Sequence, residues 1–361
     1  MKIKSVDVIP LQIPFEDGSP GVGLMPTKWT KLDIALVRIE TEDGLVGWGD
    51  GFAYSCRRAT GAAIEDMVAP LLIGREVGDI SALNIELQRR LHLHGRYGIT
   101  IFAISAVDIA LWDLKAKAEG VSLAKLLSDR PKASLPAYAS LVRYGEPDLV
   151  RSFGAKVVQE GYRTVKLHEI TLEAIEAGRE GAGAATRIST DVNCNWSLDI
   201  ARKIMPEMKR LDLYWVEEPV FPPDDAEVLG ALQTEYGVPI ASGENACTAV
   251  EFARTAPAIH YLQPSVTKVG GVTEFLKVCD LAERHGAKIM PHAPYFGPGY
   301  WATLQLMAAR DICEQFEHLY VAPDGYLDPS IPLPEKGMVQ VPDRPGIGFE
   351  PDPAALERYR I

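Results

Sequence analysis

The sequence predicts an α/β chain whose larger part is a closed parallel barrel, and three observations carry that prediction. From about residue 135, short apolar runs alternate with amphipathic stretches, giving eight strand patterns in succession. Three acids, Asp191, Glu217 and Glu244, each close one of those runs. Their intervals of 26 and 27 residues match one strand plus one helix with its loops. A strand-rich stretch precedes the repeat and a Pro- and Gly-rich stretch follows it. At 361 residues the chain is long enough for a barrel and a smaller second unit.

Taken in order, KSVDVIPLQI and LDIALVRIETEDGLVGWGD alternate apolar and polar residues, and Glu42-Asp43-Gly44 marks the turn of a meander. The Gly- and Pro-rich segment from Phe15 to Trp29 separates the first two strands and reads as a loop or lid. Helical periodicity follows in ATGAAIEDMVAPLL, SALNIELQRRLHL and AISAVDIALWDLKAKAEG, the last stopped by Gly120. Barrel strands are expected at LPAYAS, TVKLHE, RISTDVN, LYWVEEP, PIASGE, YLQPSV, KIMPHA and CEQFE. Helices such as LVRSFGAKVVQEG, LDIARKIMPEMKRL and VTEFLKVCDLAERHG lie between them. Beyond Glu317 the chain is expected to return over its own N-terminal part.

Composition narrows the function classes. Hydrophobic residues at 47%, charged residues at 24% and a mean hydropathy of -0.01 indicate a soluble globular protein. The N-terminus lacks the continuous apolar core of a signal peptide, and no apolar run approaches the roughly 20 residues that cross a bilayer. Cys56, Cys194, Cys247, Cys279 and Cys313 are scattered without a CxxC pair and read as reduced thiols. A cytoplasmic protein with no membrane partner is the expectation. The net charge of -12 argues against nucleic acid but leaves an anionic small molecule open, because a bound cation and a few lysines can dominate a site locally.

In parallel barrels, functional side chains stand at the carboxyl ends of the strands. Here those ends carry Lys166, His168, Asp191, Asn193, Glu217, Glu244, Ser265, His292 and Glu317. One such acid alone would read as a solvated loop charge or a helix cap; the ring together reads as a site. Converging carboxylates suit a hard cation such as Mg²⁺ rather than zinc. Lys166 and His168, one residue apart, share a strand face, and Lys166 together with the metal biases His168 towards the neutral form a base needs. Other features take their plainer readings. His92 and His94 end a helix outside the barrel, while His260, His285 and His318 are expected at the surface or in turns. Gly270-Gly271 reads as helix-start packing rather than a phosphate cradle.

The D-x-N of Asp191 and Asn193, followed by Ala201, Met208 and the VEEP of Val216 to Pro219, resembles the metal-binding signature of the enolase superfamily. The helix from Ser105 to Lys117, and the SGEN, TKVGG and MPH segments, are similar to further blocks of its mandelate racemase and muconate lactonising branch. This resemblance implies a modified TIM barrel of (β/α)7β type with an α+β capping domain built from both chain ends. The boundaries expected are 1–125 for the cap with its lid loops, 126–325 for the barrel and 326–361 for the returning tail.

The resemblance also implies Mg²⁺ on Asp191, Glu217 and Glu244, with Glu218 facing away. It implies His168 as base, Lys166 assisting at the substrate carboxylate, His292 as base or acid on the opposite face, and Glu317 bonding a carboxylate oxygen. The chemistry is abstraction of the proton α to a carboxylate, with Lys166, the metal and a protonated Glu317 stabilising the enediolate.

One position departs from the pattern: Ser265 stands where the racemase-type arrangement places an Asp that orients the seventh-strand His. This weakens a symmetrical two-base scheme. Lys268 is read as structural. A homo-oligomeric dehydratase of aldonic or aldaric acids is therefore the expectation. Racemisation, epimerisation, lactone cycloisomerisation and a non-catalytic carboxylate-binding barrel are the alternatives. Asn193, Ser265, Lys28, Tyr54, Arg57 and Arg58 are the expected substrate contacts.

Overall fold

In the computed structural model, which describes residues 1–18, 29–293 and 296–361, the N-terminal alternation becomes an antiparallel meander. Strands β1 (Ile3–Glu16), β2 (Lys31–Thr41) and β3 (Val46–Gly51) pair in sequence. The turn falls at Glu42 to Gly44, where Gly44 takes φ 86° and donates to the Thr41 carbonyl. Strand β3 places Gly47, Gly49 and Gly51 on one face. A Cβ at Gly49 would lie 2.0 Å from the Ala106 carbonyl oxygen, and at Gly47 2.3 Å from that of Ala110. Bare backbone on the strand thus lets the helix Ile99–Ala118 lie directly on the sheet. That helix is apolar on nearly every side and is buried along most of its length, as such a composition requires.

The helix expected over ATGAAIEDMVAPLL is broken into three forms. An α-helical turn spans Arg57–Ala62, a π-helix Ala63–Val68 and a 3₁₀ turn Ala69–Leu71. Pro70 has no N–H to continue an α ladder, which is consistent with the tighter turn there.

The repeat folds as a TIM-barrel-like ring of eight parallel strands: β4 (Ser134–Ser140), β5 (Thr164–Leu167), β6 (Arg187–Asp191), β7 (Leu213–Glu217), β8 (Ile240–Ser242), β9 (Tyr261–Leu262), β10 (Lys288–Ile289) and β11 (Phe316–Leu319). Each pairs with its sequence neighbour from β4 to β10, and β11 returns to pair with β4. Between β10 and β11, Ile289 bridges in parallel to Cys313. The lower interior is filled by Tyr138, Trp215, Ala241, Tyr261 and Met290, side chains from alternate strand positions that form a packed plug. Above it the inward side chains turn polar.

The C-terminal stretch touches both parts. Strand β12 (Ala322–Pro323) pairs with β1, and β13 (Met338–Gln340) lies antiparallel on β4. Leu11 also bridges to Arg360. Among the described residues no helix is long and apolar enough to cross a membrane.

Candidate active site

The strand spacing brings the three evenly spaced acids together. Asp191 and Glu217 end β6 and β7 in register, and Glu244 follows β8 by two residues. One carboxylate oxygen from each lies within 4.8 Å of the others, an arrangement that can hold a metal ion. The electrostatics fit a cation there. Burial pushes Asp191 up to about 6, opposed by Lys166 and reinforced by Glu244. Burial likewise pushes Glu217 up to about 8, against Lys166 and with repulsion from Asp191. These oxygens resist ionising together without added positive charge, which a divalent cation supplies. Glu244, despite its burial, is held below the usual carboxylate range by Lys268 and His292.

Lys166 and His168 emerge on one face as the period of a strand requires. Lys166 is fully buried and donates to Glu217 Oε1 at 2.9 Å; its Nζ lies 2.7 Å from Glu317 Oε1 and 3.8 Å from Asp191 Oδ2. Against its burial, Glu217 and Glu317 keep this ammonium charged. His168 Nε2 stands 3.4 Å from Asp191 Oδ2, while Nδ1 bonds the Leu141 carbonyl. Burial first, and Lys166 next, lower it to about 4, so the imidazole rests neutral at physiological pH.

Glu317 departs from the expectation of a protonated acid. Against its burial, Lys166 and His292 lower it to about 2, and Ser140 Oγ (2.8 Å) and Ala293 N–H (2.9 Å) both donate to it. An ammonium in contact and two further donors favour the carboxylate. His292 faces the same space with Nε2 3.3 Å from Glu244 Oε2, and burial lowers it to about 4 against the pull of Glu244. Ser265 lies behind it, its Oγ 3.2 Å from Thr267 Oγ1, in a small hollow that His292 also lines. The serine therefore sits beside His292, away from the main cavity.

That main cavity, of about 240 Å³, is lined by His168, Asn193, Glu244, His292 and Glu317 together with Trp29, Tyr54 and Lys268. A larger groove of about 620 Å³ by Phe15 to Gly18 and Asp324 contains none of the rim acids. Tyr54 thus stands where expected, and Asn193 does too. Arg57 and Arg58 do not. Arg57 is bound to Asp33, and both arginines line a separate groove with Glu65 and Ile361, because the helix that carries them turns that way. Lys28 and residues 19–28 of the expected lid lie outside the described residues. His318, expected at the surface, is buried on β11 between the rings of Tyr162 and Phe296.

Three participants were not assigned to the site from the sequence. Arg143, just past the end of β4, donates to the His168 carbonyl at 2.6 Å and to Asn193 Oδ1 at 3.0 Å. Trp215, two residues before Glu217 and hence on its face, donates to Glu217 Oε2 at 2.9 Å. Lys268, read as structural, lies buried with Nζ 2.9 Å from Asn245 Oδ1 and 3.5 Å from Glu244 Oε1. The signal was positional for the first two: the first strand end and the i−2 neighbour of a rim acid.

The fold and this rim together define a parallel-barrel protein with a carboxylate cluster that can hold a metal ion. A model of the mandelate racemase / muconate lactonizing enzyme N-terminal domain matches residues 20–128, and one of the enolase C-terminal domain-like family matches residues 148–355. The chain belongs to the enolase superfamily, within its mandelate racemase/muconate lactonizing enzyme family. It is 30% identical to an arabinonate dehydratase of Saccharolobus solfataricus over 91% of both chains. It is also 28% identical to a D-galactarolactone cycloisomerase of Agrobacterium fabrum, over 97% of this chain and 96% of the relative. Among solved structures, an enolase-superfamily member from Polaromonas sp. JS666 superposes with a TM-score of 0.90 at 28% identity, covering 100% of this chain and 98% of that one.

Proposed function

We propose that this protein is a Mg²⁺-dependent acid-sugar dehydratase that removes the proton α to a carboxylate and expels the β-hydroxyl, giving a 2-keto-3-deoxy acid. One observation carries the reading: a neutral imidazole, His168, shares one rim with a charged lysine and three converging carboxylates, with a second imidazole lining the same cavity. Mg²⁺ held by Asp191, Glu217 and Glu244 would supply positive charge to the substrate carboxylate and raise the acidity of its α-proton. His168 Nε2 accepts that proton, and its Nδ1, bonded to the Leu141 carbonyl, fixes which nitrogen is free. Lys166 Nζ meets the negative charge that develops on the carboxylate oxygens, held in aim by Glu317. His292 is the group placed to protonate the departing hydroxyl; because burial lowers it to about 4 despite Glu244 at 3.3 Å, it must take up a proton before it can give one.

The same rim supports a second reading, cycloisomerisation of a lactone or epimerisation, favoured by the two imidazoles and by the cycloisomerase relatives. The reading as a whole includes the division into a cap (1–125), barrel (126–325) and returning tail (326–361), and assembly as a homo-oligomer. The test is a screen of acid sugars in D₂O with Mg²⁺, following α-proton exchange and 2-keto product. Keto product supports the dehydratase; exchange with ring opening or inversion and no water loss supports the second reading. If no acid exchanges and Mg²⁺ changes nothing, the protein is a carboxylate-binding barrel without turnover.

A further inference from the structure

Where the chain leaves β5, His168 to Ile170 run outside any strand before the turn into the helix Leu172–Ala182. Strand pairing ends there, and buried carbonyls need other donors. Each of the three is met by a side chain. Arg143 Nε donates to the His168 carbonyl at 2.6 Å, Thr190 Oγ1 to that of Glu169 at 2.8 Å, and Trp196 Nε1 to that of Ile170 at 2.8 Å. Of these donors Arg143 alone is charged, and it alone holds the residue that carries the candidate base.

The same guanidinium reaches further. Its Nη2 donates to Asn193 Oδ1 at 3.0 Å, so one planar fork joins the exits of β4, β5 and β6. Asn193 takes φ 44° and Cys194 φ 60°, a left-handed conformation uncommon for residues with a Cβ. That turn is tied down by Asn193 N–H on Asp191 Oδ1 and Cys194 N–H on the Glu218 carbonyl, both at 2.8 Å. Because a guanidinium only donates, it fixes the Asn193 amide with its oxygen towards Arg143. The clasp is reciprocal. The buried Glu169 carboxylate accepts from Tyr144 N–H at 2.8 Å and Gly145 N–H at 3.2 Å, the two residues that follow Arg143. Arg143 thus grips the backbone of the β5 exit while Glu169 grips that of the β4 exit.

Among the described residues, His168 and Asn193 line the main cavity and Arg143 does not. We infer that Arg143 is a positioning residue, which holds His168 and Asn193 in the geometry that proton abstraction needs and does so through its two-point fork rather than its charge. Bonds from an ionised donor are roughly twice as strong as neutral ones, and a base displaced by about 1 Å can lose about 100-fold in rate. This inference rests on the proposed reaction for the role of His168 as base. It adds what places that base.

The experiment compares the full-length protein with Arg143→Lys, Arg143→Met and Trp196→Phe, each with Mg²⁺ and each checked for native circular dichroism. Two readouts are taken: α-proton exchange of an acid sugar, and the NMR signal of the His168 ring in protein with isotope-labelled histidine, assigned by its loss in His168→Gln. Both Arg143 variants should lower exchange by about 100-fold and shift or broaden the His168 signal, since lysine keeps the charge but cannot donate at two points. Trp196→Phe, which removes one neutral donor from the same stretch, should lower exchange by less than about 10-fold and leave that signal in place. Exchange at the wild-type rate in Arg143→Lys, or a Trp196→Phe loss as large as that of Arg143→Met, overturns the inference. So does a His168 signal that neither Arg143 variant moves. If the wild-type protein exchanges no acid, the reaction reading fails, while the ring signal still decides whether Arg143 places His168.

Discussion

Buried carboxylates at two places in this molecule are held in opposite ways. At the junction between the N-terminal sheet region and the barrel, Asp50 and Asp108 accept from the backbone of the facing part. Gly299 N–H donates to Asp50 at 2.5 Å and Thr273 N–H to Asp108 at 3.0 Å, whereas Asp113 accepts from Trp48 of β3 and Ile347 of the tail at 2.9 and 2.7 Å and pairs with Lys117 at 2.9 Å. Gly299 and Thr273 lie in the first turns of helices Pro298–Ala309 and Gly271–His285, so Asp50 and Asp108 serve as caps supplied from another element. At the rim, by contrast, Asp191, Glu217, Glu244 and Glu317 are met mainly by the side-chain ammonium groups of Lys166 and Lys268. Peptide donors are fixed in place, whereas at the rim four carboxylates face two ammonium groups, which leaves a surplus of negative charge. The first arrangement joins two parts of a fold, and the second is suited to taking up a metal.

The sharpest way to break this contrast is to remove Lys166. Lys166→Met should lower α-proton exchange by about 10³-fold or more, as expected when a charge-stabilising donor is lost. Exchange near the wild-type rate would show that Lys166 merely packs the rim. Next in size is the metal. Chelation should abolish turnover and lower the thermal midpoint, both restored by Mg²⁺, which at 100 times its Kd adds about 2.7 kcal/mol of stability. A midpoint indifferent to Mg²⁺ would remove the metal site from the account.

The junction should respond in the complementary way. Asp108→Ala leaves the Thr273 N–H and hydroxyl and the Asn84 amide without their acceptor, and should destabilise by about 2–4 kcal/mol in urea unfolding while leaving Mg²⁺ affinity unchanged. A loss of Mg²⁺ affinity would mean the two regions are not separable. The smallest effect is one of pH. Burial raises Asp50 and Asp108 to about 7, above their ordinary value of 3.8, so the folded state holds their protons more tightly than the unfolded chain does. Their contribution to stability is complete below pH ~3.8 and is lost as pH rises through about 7. Urea titrations between pH 4 and 8 should show that slope, and Asp108→Asn should flatten it.

Much of this was legible in the chain. The strand patterns from LPAYAS to CEQFE all correspond to barrel strands, although β9 and β10 shrink to two residues each. The even beat of Asp191, Glu217 and Glu244 did place three carboxylates together, because strand and helix periods convert linear spacing into a common rim. Reading failed where the outcome depends on a partner distant in sequence. Arg57 was a candidate contact until Asp33 took it, and His318 looked exposed until Tyr162 and Phe296 enclosed it. Lys268 looked structural, yet its ammonium reaches Asn245 and Glu244 inside the cavity.

The sequence by itself determined the strand order, the family and the ionisable groups of the rim, because these follow from local period and residue type. The tertiary structure decided the rest. It set the charge of Glu317, which Lys166 and two further donors turn from an expected acid into a carboxylate. It put Ser265 behind His292, and it assigned an aromatic wall, rather than Arg57 or Arg58, to the cavity. Protonation and contact are set by neighbours in space, within a few ångströms, and those neighbours are brought together only when the barrel closes.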